Sequence, residues 1–224
     1  MSGTLYIVAT PIGNLEDITF RALKILKDVD VILAEDTRVS LKLLKHYEIV
    51  RPTLSYHQKS GTARKEEILH LLMSGKNLAL VTDAGTPGVS DPGNELIAFL
   101  SENLPDLEIV PVPGASALTS VLSVSGFNVN KFVFLGFLPK KKRSKLFSWL
   151  KAGKISFVFY ESPNRILKSL KILSHEFGFD TKVVVARELT KVYETIYRGT
   201  LKSVYEEIAA HKVRGEVTVV VELF

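Results

Sequence analysis

Four short runs in the first half of this 224-residue chain, at positions 4–10, 29–35, 77–82 and 107–112, are dominated by Ile, Val, Leu and Ala. Continuously apolar strands, without in–out alternation, are what burial on both faces of a parallel sheet requires. Amphipathic stretches lie between them. Residues 17–27 start at a cap-like Asp17 and carry Phe20, Leu23, Ile25 and Leu26. Residues 63–73 place Ile68, Leu69 and Leu72 on one stripe and close at Ser74-Gly75. A third helix is expected over 93–102. This alternation predicts βαβ units with right-handed crossovers.

A second block starts near Val112-Pro113-Gly114, a turn that feeds a helix over 115–124. Strands are expected at 131–137, 155–161, 182–187, 194–199 and 216–223, with helices at 142–150, 163–177 and 201–210. The helix over 163–177 has Ser162 as cap, Pro163 at its first position, and Ile166, Leu170, Leu173 and Phe177 at helical spacing. The strands at 182–187 and 194–199 read as a hairpin. The expected architecture is therefore an α/β protein of two domains, 1–113 with a mainly parallel sheet and 114–224 with a mixed one. A cleft between two such domains is a common place for a small-molecule site.

Composition narrows the chemistry. The chain has no cysteine, which excludes a disulfide framework, thiolate metal ligation and a cysteine nucleophile, and agrees with a cytoplasmic home. Its five histidines show no ligand spacing, so no metal is expected. The apolar N-terminal stretch lacks a basic leader and is too short for a signal or a membrane span. A net charge of +5 permits an anionic partner without requiring one.

The strands of the first half end in polar clusters on what should be one sheet rim, where open α/β sheets bind ligands. Strand one ends in Thr10-Pro11-Ile12-Gly13-Asn14. Strand two ends in Glu35-Asp36-Thr37-Arg38, residues that also suit a helix cap and a surface ion pair between Glu35 and Arg38. The run at 77–82 leads into TDAGTPGVSDPG at 82–93, which holds three glycines and two prolines, more than a connector needs. It is neither a P-loop nor a dinucleotide fingerprint. Its carboxylates, Asp83 and Asp91, disfavour a phosphate. They suit a ligand with positive charge and hydroxyls, such as S-adenosyl-L-methionine. Small residues at 114–117 would let a ligand lie against the backbone. In the second half, Lys140, Lys141, Lys142, Arg143 and Lys145 crowd an expected helix start against its macrodipole, a placement that an RNA backbone would offset. Charge also marks the strand boundaries at 160–165, 187–191 and 214–218.

The segments ATPIGNLEDIT, AEDTR, TDAGTPGVSDPG, PVPGASA, GFLP with its basic run, FYESPNR and RELTKVYE, in this order, resemble the bacterial ribosomal RNA small subunit methyltransferase I family of the tetrapyrrole-methylase superfamily. The resemblance spans about residues 4–223. It implies a two-domain α/β fold with S-adenosyl-L-methionine in the interdomain cleft, 2′-O-methylation of a cytidine ribose in the decoding region of 16S rRNA, and a homodimer. Members often carry an extension beyond the final strand, where this sequence ends at Phe224.

Methyl transfer needs the ribose oxygen held in line with the methyl and a base for its proton. Glu35, Asp36 and Glu188 are the candidate bases, Glu35 foremost; Lys191 qualifies only with a depressed pKa. Cofactor contacts are expected from Pro11, Asp83, Gly85, Val89, Ser90, Asp91, Ser116, Ala117, Tyr160 and Glu216. Arg38, Lys140, Lys141, Lys142, Arg143, Arg165 and Arg187 are expected to hold RNA of the 16S molecule or the small subunit. Two rivals stand beside this reading: a tetrapyrrole C-methyltransferase on the same fold, and a non-catalytic RNA-binding ribosome-assembly protein.

Overall fold

The computed structural model describes residues 2–211 and 213–223. The chain divides into two compact units, Met1–Ser116 and Ala117–Phe224. The division falls three residues beyond the boundary expected at 113/114, and Gly114 packs close to the end of strand one: a Cβ there would stand 3.0 Å from that of Ala9.

The first unit holds β1 (Thr4–Val8), α1 (Phe20–Asp28), β2 (Val31–Ala34), α2 (Thr37–His46), β3 (Thr53–Ser55), α3 (Thr62–Met73), β4 (Leu78–Val81), α4 (Asn94–Asn103) and β5 (Glu108–Val112). The strands form one sheet in the order β3-β2-β4-β1-β5, every pairing parallel. The apolar runs are continuous because helices cover both faces. Leu33, Leu78 and Leu80 pack with Ile68, Leu72, Leu96 and Leu100 of α3 and α4. Their neighbours Ile32, Ala34, Ala79 and Val81 pack on the other face with Ala22, Leu26 and Leu44 of α1 and α2. Each fully buried Leu in these layers contributes about 1.5–3 kcal/mol relative to exposure.

The structure corrects one local expectation and adds one strand. Asp17 does not cap α1: it closes a 3₁₀ turn, Leu15–Asp17, and Thr19 caps the helix by accepting the Ala22 N–H. Thr19 does so because its hydroxyl stands three residues before that N–H in extended backbone. Strand β3 lacks a signal in the sequence, being only three half-buried residues on a sheet edge.

The second unit holds α5 (Ala117–Ser123), β6 (Phe132–Phe137), α6 (Ser144–Gly153), β7 (Ser156–Glu161), α7 (Ile166–Phe177), β8 (Lys182–Arg187), β9 (Thr195–Thr200), α8 (Leu201–Ala209) and β10 (Val217–Val221). The sheet order is β6-β7-β10-β8-β9; β6 and β7 are parallel and the other pairings antiparallel. Residues 182–187 and 195–200 form the expected hairpin. Helix α7 starts at Ile166 rather than Pro163. Ser162 opens the preceding turn through its carbonyl, which accepts from the N–H groups of Arg165 and Ile166. Valines 217, 219 and 221 face a core with Phe157, Phe159, Leu170 and Val204.

Candidate active site

Because all strands of the first sheet are parallel, their carboxyl ends share one rim. The rim is tied together by its own backbone. Thr10 and Gly85 exchange two hydrogen bonds, of 2.9 and 3.0 Å, and the Thr10 hydroxyl donates to the Thr82 carbonyl at 3.1 Å. The Thr86 hydroxyl reaches the Ala115 carbonyl at 3.3 Å. The loop after β4 is thereby fixed to the ends of β1 and β5. Within it, Pro11 and Gly85 are buried, Val89 and Asp91 half-buried, and Ser90 is exposed with φ at 64°, a conformation that costs a non-glycine residue of order 1 kcal/mol. Ser116 and Ala117, at the junction of the two units, are half-buried.

The ends of β2 and β4 brace each other through carboxylates. The Asp83 N–H donates to Glu35 Oε2 at 3.3 Å, and the Asp36 N–H donates to Asp83 Oδ1 at 3.1 Å. Desolvation raises the Glu35 carboxyl above its ordinary range; the hydrogen bond from Asp83 opposes this, and the charges of Asp83 and Asp36 add to it. Asp83 is raised by the same causes, desolvation first. Asp36 differs. It caps α2 and holds Arg38 through Oδ1 at 3.0 Å and Oδ2 at 2.5 Å, which lowers it to about 2. The sequence-expected surface pair of Glu35 with Arg38 is therefore Asp36 with Arg38, since the side chain two residues away along the helix start is the nearer one. A carboxylate at about 2 is a poor proton acceptor. Glu35 is the better base of the two.

The second sheet gathers a rim of its own, at the ends of β6, β7 and β8 and the start of β10. There Lys191 Nζ donates to Glu188 Oε1 at 2.9 Å and to Glu216 Oε2 at 3.0 Å, and the Glu216 N–H donates to Glu188 Oε1 at 2.9 Å. Glu188 lies against Gly215, where φ is positive and a Cβ would come within 2.1 Å of the carboxyl carbon, so a larger residue would be strained and would displace Glu188. Glu188 and Thr190 both have positive φ, 53° and 64°, a conformation that costs non-glycine residues of order 1 kcal/mol each. Burial alone would pull the Lys191 ammonium down, but hydrogen bonds to Glu188 and Glu216 carry it above its ordinary value. Lys191 therefore does not meet the condition for acting as a base. Burial pushes Glu188 up, and the Lys191 and Glu216 donors outweigh it, leaving the carboxyl below its usual range. Glu188 thus serves as a fixed anion.

These shifts make stability depend on pH. Lys191, raised on folding, contributes fully below its unfolded pKa of about 10.4 and loses the contribution as pH rises through the folded value. Glu188, lowered on folding, contributes above about 4.3 and loses it as pH falls through its folded value. Replacing Lys191 by Met is expected to cost roughly 1 kcal/mol. The cost should stay constant from about pH 6 to 9 and shrink in acid. Urea titrations at several pH values measure it.

Two arginines expected to grip RNA are used internally. Arg165 pairs with the fully buried Glu161 at 3.2 Å and donates to the Leu138 carbonyl at 2.7 Å. Arg187 donates to the carbonyls of Arg214 and Tyr193 and to the Thr195 hydroxyl. Each guanidinium therefore spends part of its donor capacity inside the fold, on a carboxylate, a hydroxyl and backbone oxygens that converge from distant segments. Arg38 remains 86% exposed at its side chain, and Lys140, Lys141 and Lys142 are exposed on a loop that precedes α6 rather than inside its first turn. Arg143, at the helix cap position, is half-buried. Sequence reasoning misses Glu161. Its signal is a carboxylate ending a buried strand, with Arg four and Ser eight positions on. Tyr160 is half-buried between the rings of Phe134 and Phe137. Among the described residues no group of three or more His, Cys, Asp or Glu could hold a metal, and no helix is long and apolar enough to cross a membrane.

A rim of this kind on two α/β units has relatives. The model of the tetrapyrrole (corrin/porphyrin) methylases matches residues 4–205. Ribosomal RNA small subunit methyltransferase I of Synechocystis sp. is 45% identical over 221 residues, which cover 98% of this chain and 78% of that protein. The protein of the same name from Thermotoga maritima is 47% identical over 219 residues, 97% of each chain. The chain belongs to this methyltransferase family. Its members are enzymes. Among solved structures, a diphthine synthase superposes with a TM-score of 0.74 at 13% identity, covering 99% of this chain and 92% of that one. A cobalt-precorrin-4 methyltransferase superposes at 0.70 and 21% identity, covering 98% and 94%. Identities this low speak for the fold alone.

Proposed function

We propose that this chain transfers the methyl group of S-adenosyl-L-methionine to the 2′-oxygen of a cytidine ribose in the decoding region of 16S rRNA. The observation that carries the reading is the 47% identity, over nearly all of both chains, to a relative named for the small subunit ribosomal RNA.

The first rim suits the donor. Asp83 is a carboxylate raised by desolvation and by the neighbouring charge of Asp36, so a cationic ligand beside it relieves an unfavourable field. The Thr82 hydroxyl is buried without a partner among the described residues, at the root of the same loop. An orphaned donor of this kind is one that a polar ligand can satisfy. Asp83, Gly85, Val89, Ser90 and Asp91 would hold the donor from this loop, with Pro11 and Ser116 of the same unit beside it. When bound, the donor supplies a methyl already activated by its sulfonium. The protein's tasks are then to orient the ribose and to take its proton. Glu35 accepts the 2′-hydroxyl proton as the bond forms, its raised carboxyl making it a stronger base than Asp36 or Glu188. Arg38 offers an exposed guanidinium for a phosphate.

The deciding experiment incubates the protein and labelled donor with small subunits lacking the modification and maps 2′-O-methyl sites in the 16S rRNA. One methylated cytidine ribose in the decoding region is expected. Label on a base, or on a tetrapyrrole offered in parallel, rejects the reading.

A further inference from the structure

From residue 109 to residue 160 the sequence contains no Asp or Glu, yet it carries seven lysines and one arginine. The chain's net charge of +5 is therefore owed entirely to this stretch, and the remainder is net acidic. Lys140, Lys141 and Lys142 stand exposed within it. So does an aromatic ring: Phe137, the last residue of β6, is 58% exposed.

Phe137 is exposed by construction. Along β6 and β7 the register runs Phe134 with Val158 and then Phe137 with Tyr160, so β6 holds one residue more than its partner. This bulge contains Gly136 at φ 61°, a conformation that favours glycine. A bulge re-aims the side chains beyond it. Here Leu138, next in the chain, is buried at 1%, and Phe137 is turned to solvent. Its ring is nevertheless held, edge-on to Tyr160 with centroids 5.8 Å apart. The chain just past it is anchored by Arg165, which binds the Leu138 carbonyl. A large apolar ring is thus kept in a set orientation on the surface, at the root of a lysine loop.

We propose that Phe137 is a stacking platform for an unpaired base of the RNA substrate, with Lys140, Lys141 and Lys142 neutralising the phosphates beside that base. The inference rests on the rRNA reading and deepens it: the target strand is bound single-stranded. An exposed aromatic among lysines is the combination by which proteins hold single strands, since every base has a face to stack and every nucleotide a phosphate. Proteins that recognise RNA by its bases address loops and unstacked positions for the same reason. The absence of acidic residues from 109 to 160 favours RNA over a protein partner as the occupant.

The test measures binding of the full chain to a single-stranded RNA copy of the decoding-region loop, at several salt concentrations. Replacing Phe137 by Ala is expected to weaken binding about tenfold. The slope of log affinity against log salt should stay unchanged, because the lysines still neutralise the same phosphates. Phe137→Trp should restore affinity, which a merely structural role would not predict. Replacing Lys140, Lys141 and Lys142 together by Ala should instead flatten the slope, by about 0.7 for each phosphate no longer neutralised. Phe137→Ala binding within twofold of wild type overturns the platform alone. A change in oligomeric mass in Phe137→Ala also overturns it, assigning the ring to a second copy of the chain. Wild-type protein that binds neither this RNA nor small subunits overturns the rRNA reading and the platform with it.

Discussion

Replacing Glu35 by Gln is expected to cut methyl transfer to small ribosomal subunits by about 100-fold or more while leaving donor affinity within a few-fold of wild type. The substitution keeps the shape of the side chain. Its amide oxygen can still accept the Asp83 N–H that Glu35 Oε2 accepts at 3.3 Å, so the brace between β2 and β4 survives. What disappears is the proton acceptor. Glu35 stands out by contrast with its rivals: Asp36 is held at about 2 by Arg38, and Glu188 lies below its usual range beside Lys191. Only Glu35 of the three is raised. A second readout separates a base from a structural carboxylate. Because its folded pKa lies above its unfolded one, ionised Glu35 opposes folding, so its stability contribution is lost as pH rises through the folded value. Glu35→Gln should accordingly be at least as stable as wild type at neutral pH, with the advantage fading in acid. Unchanged single-turnover rates with intact donor binding would remove Glu35 from the chemistry. Loss of stability in parallel with activity would make it a brace.

The parts of the fold that could be read from the sequence are those in which one face of an element decides its neighbours. The runs at 29–35 and 77–82 are apolar on both faces, and both faces are covered by helices, so the parallel sheet follows from composition alone. Strand β3 could not be read that way, because Thr53–Ser55 sits on an edge and owes its state to the pairing of Ile32, Leu33 and Ala34 beside it. The same division runs through the site. The rim residues of the first unit fall together because parallel strands share their carboxyl ends. Which charges remain available there depends on distances the sequence does not carry. Arg165 finds a carbonyl 27 positions away, and Arg187 reaches Arg214 across the same number. Such internal partners are invisible to a reading of charge alone, because backbone oxygens are the commonest acceptors in a folded chain. The bulge has a visible signal. A glycine inside an otherwise strand-like run, as in Phe-Val-Phe-Leu-Gly-Phe, announces an extra residue and a redirected side chain.

Replacing Arg165 by Ala is expected to destabilise the second unit by about 3 kcal/mol, a large loss for a single charged side chain. Glu161 has no exposed side-chain surface, and Arg165 is its ion-pair partner at 3.2 Å. Two donors would remain, the Ser169 hydroxyl at 2.6 Å and the Ser162 N–H at 2.9 Å, but neither carries a charge. The cost is therefore that of a buried carboxylate left without a counter-ion, rather than the worth of one hydrogen bond. A double variant tests this cause directly. Glu161→Gln combined with Arg165→Ala should recover much of the missing stability, because an amide needs hydrogen bonds but no opposite charge. It should not recover RNA binding to the same degree. Arg165 also donates to the Leu138 carbonyl, and that bond fixes the root of the loop bearing Lys140, Lys141 and Lys142. Urea unfolding of the four proteins of the cycle, followed by RNA binding, separates the two roles. If the double variant is as unstable as Arg165→Ala, the buried charge is not the cause. If it regains RNA affinity along with stability, the loop does not depend on Arg165.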